Sequence, residues 1–592
     1  MQLADDDILI AARLADAPVA TSNVRERRRL QIYAVDPALR QRDGQITQID
    51  LPFEPLPQMR GRRLSVDLLP GPFDATRLRA ADLDSVQVAA RAGLSPSMTD
   101  PCFAQQMTYA VCSWTLERFR RALGREPEFA FAGRLQLQPN AMEEANAYYD
   151  REKQALRFGW FRQNVDAPGA NQRGALVCTA LSHDIVVHEM AHALLDGQRS
   201  HLLLPTNPDV LALHEGFADL IALFAHFTHY DLVRDAIARY DGNLDDPRLI
   251  QIGRQFGQGS GLGGPLRTSI LDPVAEDSDA PSPVNYANAL LPHARGSLLL
   301  SAVFEAFRNV YLRKTEKWRR VAAGFSTLSS HPLLFDQLSK TACELAGQFL
   351  NIVIRALDYL PPVDVDFGEF LRAMITADYE LVPDDPWHYR EALVYAFRRY
   401  GIPVSNVQAL DEKELLWRDA EELPLARDLK AGALERLAAL PRRPGPDEPP
   451  LSWRRAECVR DFLRDNGESL AALSLTQPDV RGEQLRIESI RAINRISPAG
   501  ELTAEFGIEL LQWRRDPDIG WFPGGCTLIV SGEGKLRYVI WKDPRSASRI
   551  AATRRYLDGA GLRHAGLFQA DEPADVNRAA SRALHALHLP CC

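Results

Sequence analysis

Residues 183–196 read HDIVVHEMAHALLD, and residues 214–227 read HEGFADLIALFAHF. Apolar residues recur at helical spacing in both, so each is read as a helix, the second beginning at His214. The first contains His188-Glu189-Met190-Ala191-His192, an HExxH pattern. Residues four apart share one face of a helix, so both imidazoles can reach a single ion. Zinc takes nitrogen ligands at about 2.0–2.1 Å and, in catalytic sites, three protein ligands plus water. Glu189 lies about 100° round the helix from His188, off the ion but within reach of its water. The apolar residues on either side supply the dry backing that a metal helix needs.

A third ligand is required. Glu215 and Asp219 are again four apart on one face of the second helix. Glu215 completes a two-histidine, one-glutamate set, and Asp219 can accept a hydrogen bond from a ligand imidazole, expected to be His188. Such a carboxylate fixes the tautomer and raises ligand basicity. One zinc ion on His188, His192 and Glu215, with Glu189 as general base, is therefore expected. A lone histidine here would read as a satisfied core residue; five groups in register on two adjacent helices read as a site. His214 points off the Glu215 face and is read as supporting or structural. His183, His201, His226 and His229 are read as structural.

Outward from these helices, the chain from Ala180 to about Ile402 reads as mainly helical, with REALVYAFRRYGI stopping at Gly401 and Pro403. GQGSGLGGP, 257–265, reads as a loop. Upstream, RRLQIYAVDP, GQITQIDLPFE and RRLSVDLLPG alternate apolar and polar residues as strands do. QQMTYAVCSWTLERFRRALGR is a helix with Gly124 in its final turn, and RLQLQ and ALRFGWF are strands on either side of ANAYYD. Proline and charge at 436–452 mark a linker. Beyond it, RIESIRAINRIS, ELTAEFGIELLQWRR, GCTLIVSGEG and KLRYVIWK are strand candidates, the last two joined at Gly532-Glu533-Gly534. The expected organisation is α+β. A β-rich region spans 1–100 and a catalytic domain 101–405, divided near 180 into a first lobe and a helical lobe. A helical, proline-rich linker covers 406–452, and a separate small α+β domain 453–592.

HEMAH followed by HEGFAD resembles the zinc-binding helix pair of the thermolysin-like gluzincin metallopeptidases. Asn146-Ala147-Tyr148-Tyr149 resembles that family's edge strand for substrate main chain, and Asp184 matches an acidic position beside the metal ligands. Leu266-Arg267-Thr268 with Asp272-Pro273 resembles the segment carrying a substrate-carbonyl arginine. His293-Ala-Arg-Gly296 resembles the segment carrying a transition-state histidine. The resemblance covers about 105–402. It implies a two-lobed fold, β-rich then helical, and a zinc endopeptidase with Glu189 and His293 catalytic. It also implies Asp219 and Asp184 supporting the metal ligands, and Asn146, Ala147 and Arg267 binding substrate. The family's calcium-binding carboxylate clusters have no clear match, so calcium is not predicted. The 453–592 unit has no counterpart in the family.

Apolar residues make up 46% of 592 residues and charged residues 25%, an ordinary globular balance. A net charge of -9 offers no footprint for nucleic acid or anionic membrane. The N-terminal MQLADDDILIAARLADAPVA lacks a basic start and a signal-length apolar run, and no stretch of about 18 apolar residues stands out. The eight cysteines include no CxxC pair and read as thiols, with Cys591-Cys592 at the end. A cytoplasmic protein acting on peptide or protein is expected, its C-terminal unit available as a partner-binding module. The alternatives are an inactive zinc-bearing scaffold, disfavoured because a structural site needs no Glu189, and an aminopeptidase, which would need an acidic anchor for the substrate amine.

Overall fold

A computed structural model of the chain describes residues 8–10, 27–35, 37, 46–73, 76, 78–163, 174–252, 267–268, 286–322, 332–422, 429–440, 448–471, 473–475, 483, 485–496, 502–559, 561–564 and 566–587. The 257–265 loop, Leu266, Asp272-Pro273 and Cys591-Cys592 lie outside these.

The first strands are β1 (Ile8–Ile10), β2 (Arg27–Tyr33) and β3 (Ile46–Pro52), of which β2 and β3 pair antiparallel. Leu30, Ile32, Ile49 and Leu51 point inward at the period of two that the sequence carries. They pack against α1 (Pro101–Leu123), which opens with the Asp100 carboxylate accepting from the Cys102 amide at 3.0 Å and closes at Gly124, φ 65°. A mixed sheet follows from β4 (Leu64–Val66), β5 (Leu135–Met142), β6 (Ala147–Asp150), β7 (Ala155–Arg162) and β8 (Leu176–Cys178). Its order is β4-β5-β7-β6, with β8 also on β7, so β6 is an edge strand. The N-terminal region is thus not set apart: β4 belongs to the same sheet as β5 to β7.

The helical part contains α2 (His183–Gln198), α3 (Pro208–Phe227) and α4 (Tyr230–Arg239). After the short pair β9 (Gln251–Ile252) and β10 (Arg267–Thr268) come α5 (Pro292–Ala322), α6 (Pro332–Ala356), α7 (Phe367–Tyr379) and α8 (Tyr389–Arg399). The expected start of the second metal helix at His214 is corrected here. The helix begins at Pro208, with the Asn207 side chain accepting from the Asp209 amide at 2.7 Å. Proline at the first helical position and an asparagine cap are standard start signals that the apolar run downstream obscured. Glu215 therefore sits mid-helix, where its backbone is held on both sides. Among the described residues α3 alone is long and apolar enough to cross a membrane, and it is wholly buried at the centre of the helical part. It crosses α5 with backbones touching: a Cβ on Gly296 would lie 2.9 Å from both the Ala212 oxygen and the Gly216 nitrogen.

The C-terminal part adds α9 (Gly432–Ala439), α10 (Leu451–Asp465), β11 (Leu485–Ile496), β12 (Leu502–Asp516), β13 (Gly520–Ser531), β14 (Leu536–Lys542), α11 (Ala547–Asp558) and α12 (Pro573–Leu587). The four long strands form an antiparallel meander, and β1 joins its edge parallel to β11. The β13–β14 turn falls at Gly532-Glu533-Gly534, with Gly534 at φ 85°. Leu434 and Leu437 of α9 pack into the core under this sheet, beside Val459 and Phe462 of α10.

This sheet leans on the helical part through buried charge. Arg199, at the end of α2 and 1% exposed, donates to the Leu357 carbonyl at 2.6 Å and to Thr527 Oγ1 at 3.1 Å, and lies 3.4 Å from Glu509. Asn494 of β11 donates to the Gly124 carbonyl at 2.7 Å, and a Cβ on Gly124 would lie 2.0 Å from the Asn494 oxygen. Ile493, Ile529, Tyr538 and Ile540 join the same apolar cluster as α2 and α3. The architecture is α+β throughout.

Candidate metal centre

Helix α2 is buried along its whole length, so its polar side chains must find partners inside the protein. His188 Nε2 and His192 Nε2 lie 2.9 Å apart. From α3, Glu215 brings Oε2 to 3.6 Å of His188 Nε2 and Oε1 to 3.7 Å of His192 Nε2. One ligand atom from each residue falls within 4.8 Å of the others, all in buried side chains, so the three form a group that can hold a metal ion. Two nitrogens bound to one tetrahedral ion at about 2.0–2.1 Å sit about 3.3 Å apart, a few tenths of an ångström from the spacing seen.

The ring atoms facing away from this point are engaged as ligand imidazoles require. His188 Nδ1 lies 2.9 Å from Asp219 Oδ1, the partnership read from the sequence. His192 Nδ1 lies 2.7 Å from His214 Nδ1. Two facing nitrogens share one proton. When His192 ligates through Nε2, its Nδ1 carries the hydrogen and His214 Nδ1 accepts it. The Nε2 lone pairs of both helical histidines are then left for a common ion. His214 is the residue whose role the sequence left open; lying about 100° round α3 from Glu215, it faces α2.

Glu189 is 3% exposed on the same helix. His293, second residue of α5, brings Nε2 to 3.2 Å of Glu215 Oε2 while its side chain stays 40% exposed, at the mouth of the group. Asp184 sits in the first turn of α2. Its carboxylate accepts from Ser182 Oγ and from the Ile185 amide at 3.1 Å. Asn146 and Ala147 lie at the start of the edge strand β6. The Asn146 carbonyl accepts from the Gly159 amide at 2.8 Å, and its side chain accepts from the Ala147 amide at 2.9 Å. Arg267 is on β10, paired with Ile252.

One feature had no reading in the sequence. Asp196, four residues beyond His192 on α2, is fully buried, accepts from Tyr149 Oη at 2.8 Å and lies 3.4 Å from Arg151. It ties β6 and the turn after it to α2, and its four-residue spacing from His192 was the available signal. His183, His226 and His229 form a second buried cluster, with His183 Nε2 and His229 Nε2 3.0 Å apart and the His226 ring 5.4 Å from that of His183. Burial pushes all three below the ordinary histidine value, His229 to about 3, so they are neutral packing groups, with His183 and His229 beside Trp114.

No protein-family model matches this chain, and no curated protein is detectably similar to it.

Proposed function

We propose that the protein is a zinc-dependent endopeptidase of the thermolysin-like gluzincin kind, acting on peptide or protein. The observation that carries this is the convergence of His188, His192 and Glu215 in one buried group, with Asp219 on His188 and Glu189 one residue away on the same helix. A closed structural site would have no use for that glutamate and would favour a fourth protein ligand. The reading is also supported by a mixed sheet with an edge strand followed along the chain by a helical part.

Bound at the three ligands, zinc would supply a Lewis acid for the scissile carbonyl and lower the pKa of water. Glu189 takes the proton of the attacking water at its carboxylate and passes it to the leaving amine nitrogen. His293 donates from Nε2 to the oxyanion that develops on the substrate; one such donor is worth about 2.7–4 kcal/mol in acyl transfer. The outer edge of β6, from Asn146 and Ala147, pairs with an extended substrate by strand addition, and Arg267 holds a substrate carbonyl.

The test is metal analysis of purified protein together with cleavage of a peptide library by the wild type and by Glu189→Gln. The substitution should leave the metal in place and lower the rate by about 10²–10⁴-fold, the usual worth of a positioned base. Cleavage by Glu189→Gln at the wild-type rate would remove Glu189 from catalysis.

A further inference from the structure

The first turn of α5 carries His293. Leu290 and Leu291, just before it, are 53% and 65% exposed. What anchors the turn is Arg295, 4% exposed. Its Nε donates to Asp209 Oδ1, and its Nη1 donates to the Tyr286 carbonyl at 2.8 Å and the Ala289 carbonyl at 2.9 Å. Its guanidinium lies 3.8 Å from the centre of the Tyr286 ring. Asp209, 1% exposed in the first turn of α3, also accepts from Tyr286 Oη at 2.6 Å and from the Phe367 amide at 2.9 Å.

We propose that Asp209 and Arg295 are a buried clamp that sets His293 against Glu215, acting as positioning residues for the reaction; this rests on the peptidase reading above. Asp209 and Glu215 lie on one rigid helix, six residues and about 9 Å apart along its axis. Arg295 is two residues after His293 and directly before Gly296, where α5 touches α3. The turn is thus fixed at two points, a backbone crossing and the Arg295 guanidinium, which donates to Asp209 and to the Tyr286 and Ala289 carbonyls. The crossing sets how close the helices come, and the ion pair sets how the turn is rotated about it. A planar guanidinium with several donors does the second task because it holds direction as well as distance. Phe367 brings the start of α7 onto the same carboxylate, so the clamp also joins His293 to the helix whose Glu369 meets Lys542 of β14 at 2.8 Å.

The experiment compares Asp209→Asn, Arg295→Met and Arg295→Lys, each alone and in a His293→Ala background. Zinc content and thermal unfolding establish which variants are folded and loaded. Asp209→Asn and Arg295→Met should lower kcat by about tenfold or more with KM within about twofold, since a misplaced group costs rate more than binding. In the His293→Ala background the same changes should cost less than about twofold, because the clamp acts through the residue already removed. Arg295→Lys, which keeps the charge but not the several directed donors, should recover part of the loss. Modification of His293 by diethylpyrocarbonate, followed by mass spectrometry, reads its seating without any turnover and should speed up in both disruptive variants. Unchanged kcat and unchanged labelling in folded protein overturn the clamp, as does a full multiplicative loss on top of His293→Ala. A wild type that cuts no peptide while the variants label faster overturns the peptidase reading and leaves the clamp standing.

Discussion

Asp219→Ala removes the acceptor that fixes the His188 ring, and the size of its effect follows from the geometry. The Nδ1–Oδ1 contact is 2.9 Å, and the Asp219 and His188 side chains are 1% and 7% exposed. Water therefore has little room to replace the carboxylate, and a lone His188 can turn or carry its proton on the nitrogen that faces the ion. Loss of such an outer partner typically lowers metal affinity about 10–100-fold, which corresponds to about 1.4–2.7 kcal/mol. Asp219→Asn should fall between wild type and Asp219→Ala, because its amide oxygen still accepts from Nδ1 but carries no charge. The assay is competition for zinc with a chelating dye, run beside Glu215→Ala, which removes a ligand and should retain no zinc at matched dye concentration. If Asp219→Ala competes as well as the wild type, the outer carboxylate does not support the ion, and the contact is packing alone.

Other perturbations probe the frame around the site. Gly296→Ala places a methyl 2.9 Å from the Ala212 oxygen and the Gly216 nitrogen, so α5 must move off α3; overpacking of this kind costs about 1–3 kcal/mol. Peptidase activity should fall more than zinc content, and a variant with wild-type activity would show that the crossing does not set His293. Arg199→Ala leaves the Leu357 carbonyl without its donor, although Glu509 keeps Arg491 at 2.7 Å. A loss of about 3 kcal/mol, the low end for breaking a buried pair, should appear in denaturant unfolding; a loss under about 0.5 kcal/mol would mean the sheet does not depend on this contact. His229 is held to about 3 and His564 to about 4, against an ordinary 6.5, so both stay neutral in the fold. Below pH 6.5 the unfolded chain takes up protons that the folded chain refuses, so stability is complete above that value and drains as pH falls toward 4 and then 3. The slope is about 1.4 kcal/mol per pH unit for each such group. His229→Gln should flatten the decline between pH 7 and 5 in urea titrations; an equal decline in the variant would assign it to other groups.

The local elements were legible because local rules produce them. Alternation in 27–33 and 46–52 became β2 and β3, the four apolar runs after 484 became the strands of one sheet, and Gly124 closed α1 with a positive φ. The four-residue spacing of His188 with His192, and of Glu215 with Asp219, fixed which side chains could share a face. That is a property of helical periodicity and needs no knowledge of the rest of the chain. Even the pairing of Asp219 with His188 could be reached this way, once two helices are required to meet at one ion.

Other features depend on residues far apart in sequence and had no local signature. Gly296 reads as an ordinary helix residue until α3 lies against it, and Gly124 as an ordinary helix end until Asn494 donates to its carbonyl. The carboxylate of Asp209 and the guanidinium of Arg295 are separated by a long stretch of chain, and only the α3–α5 crossing brings them together. The recruitment of β1 to the edge of β11 and the placement of Arg199 between Leu357, Thr527 and Glu509 are of the same kind. Period and capping act over one or two turns of chain, and from them come the ligands and the helix that bears them. The direction in which buried polar groups point is decided by which partners the packed interior leaves them, and that choice exists only in the tertiary structure.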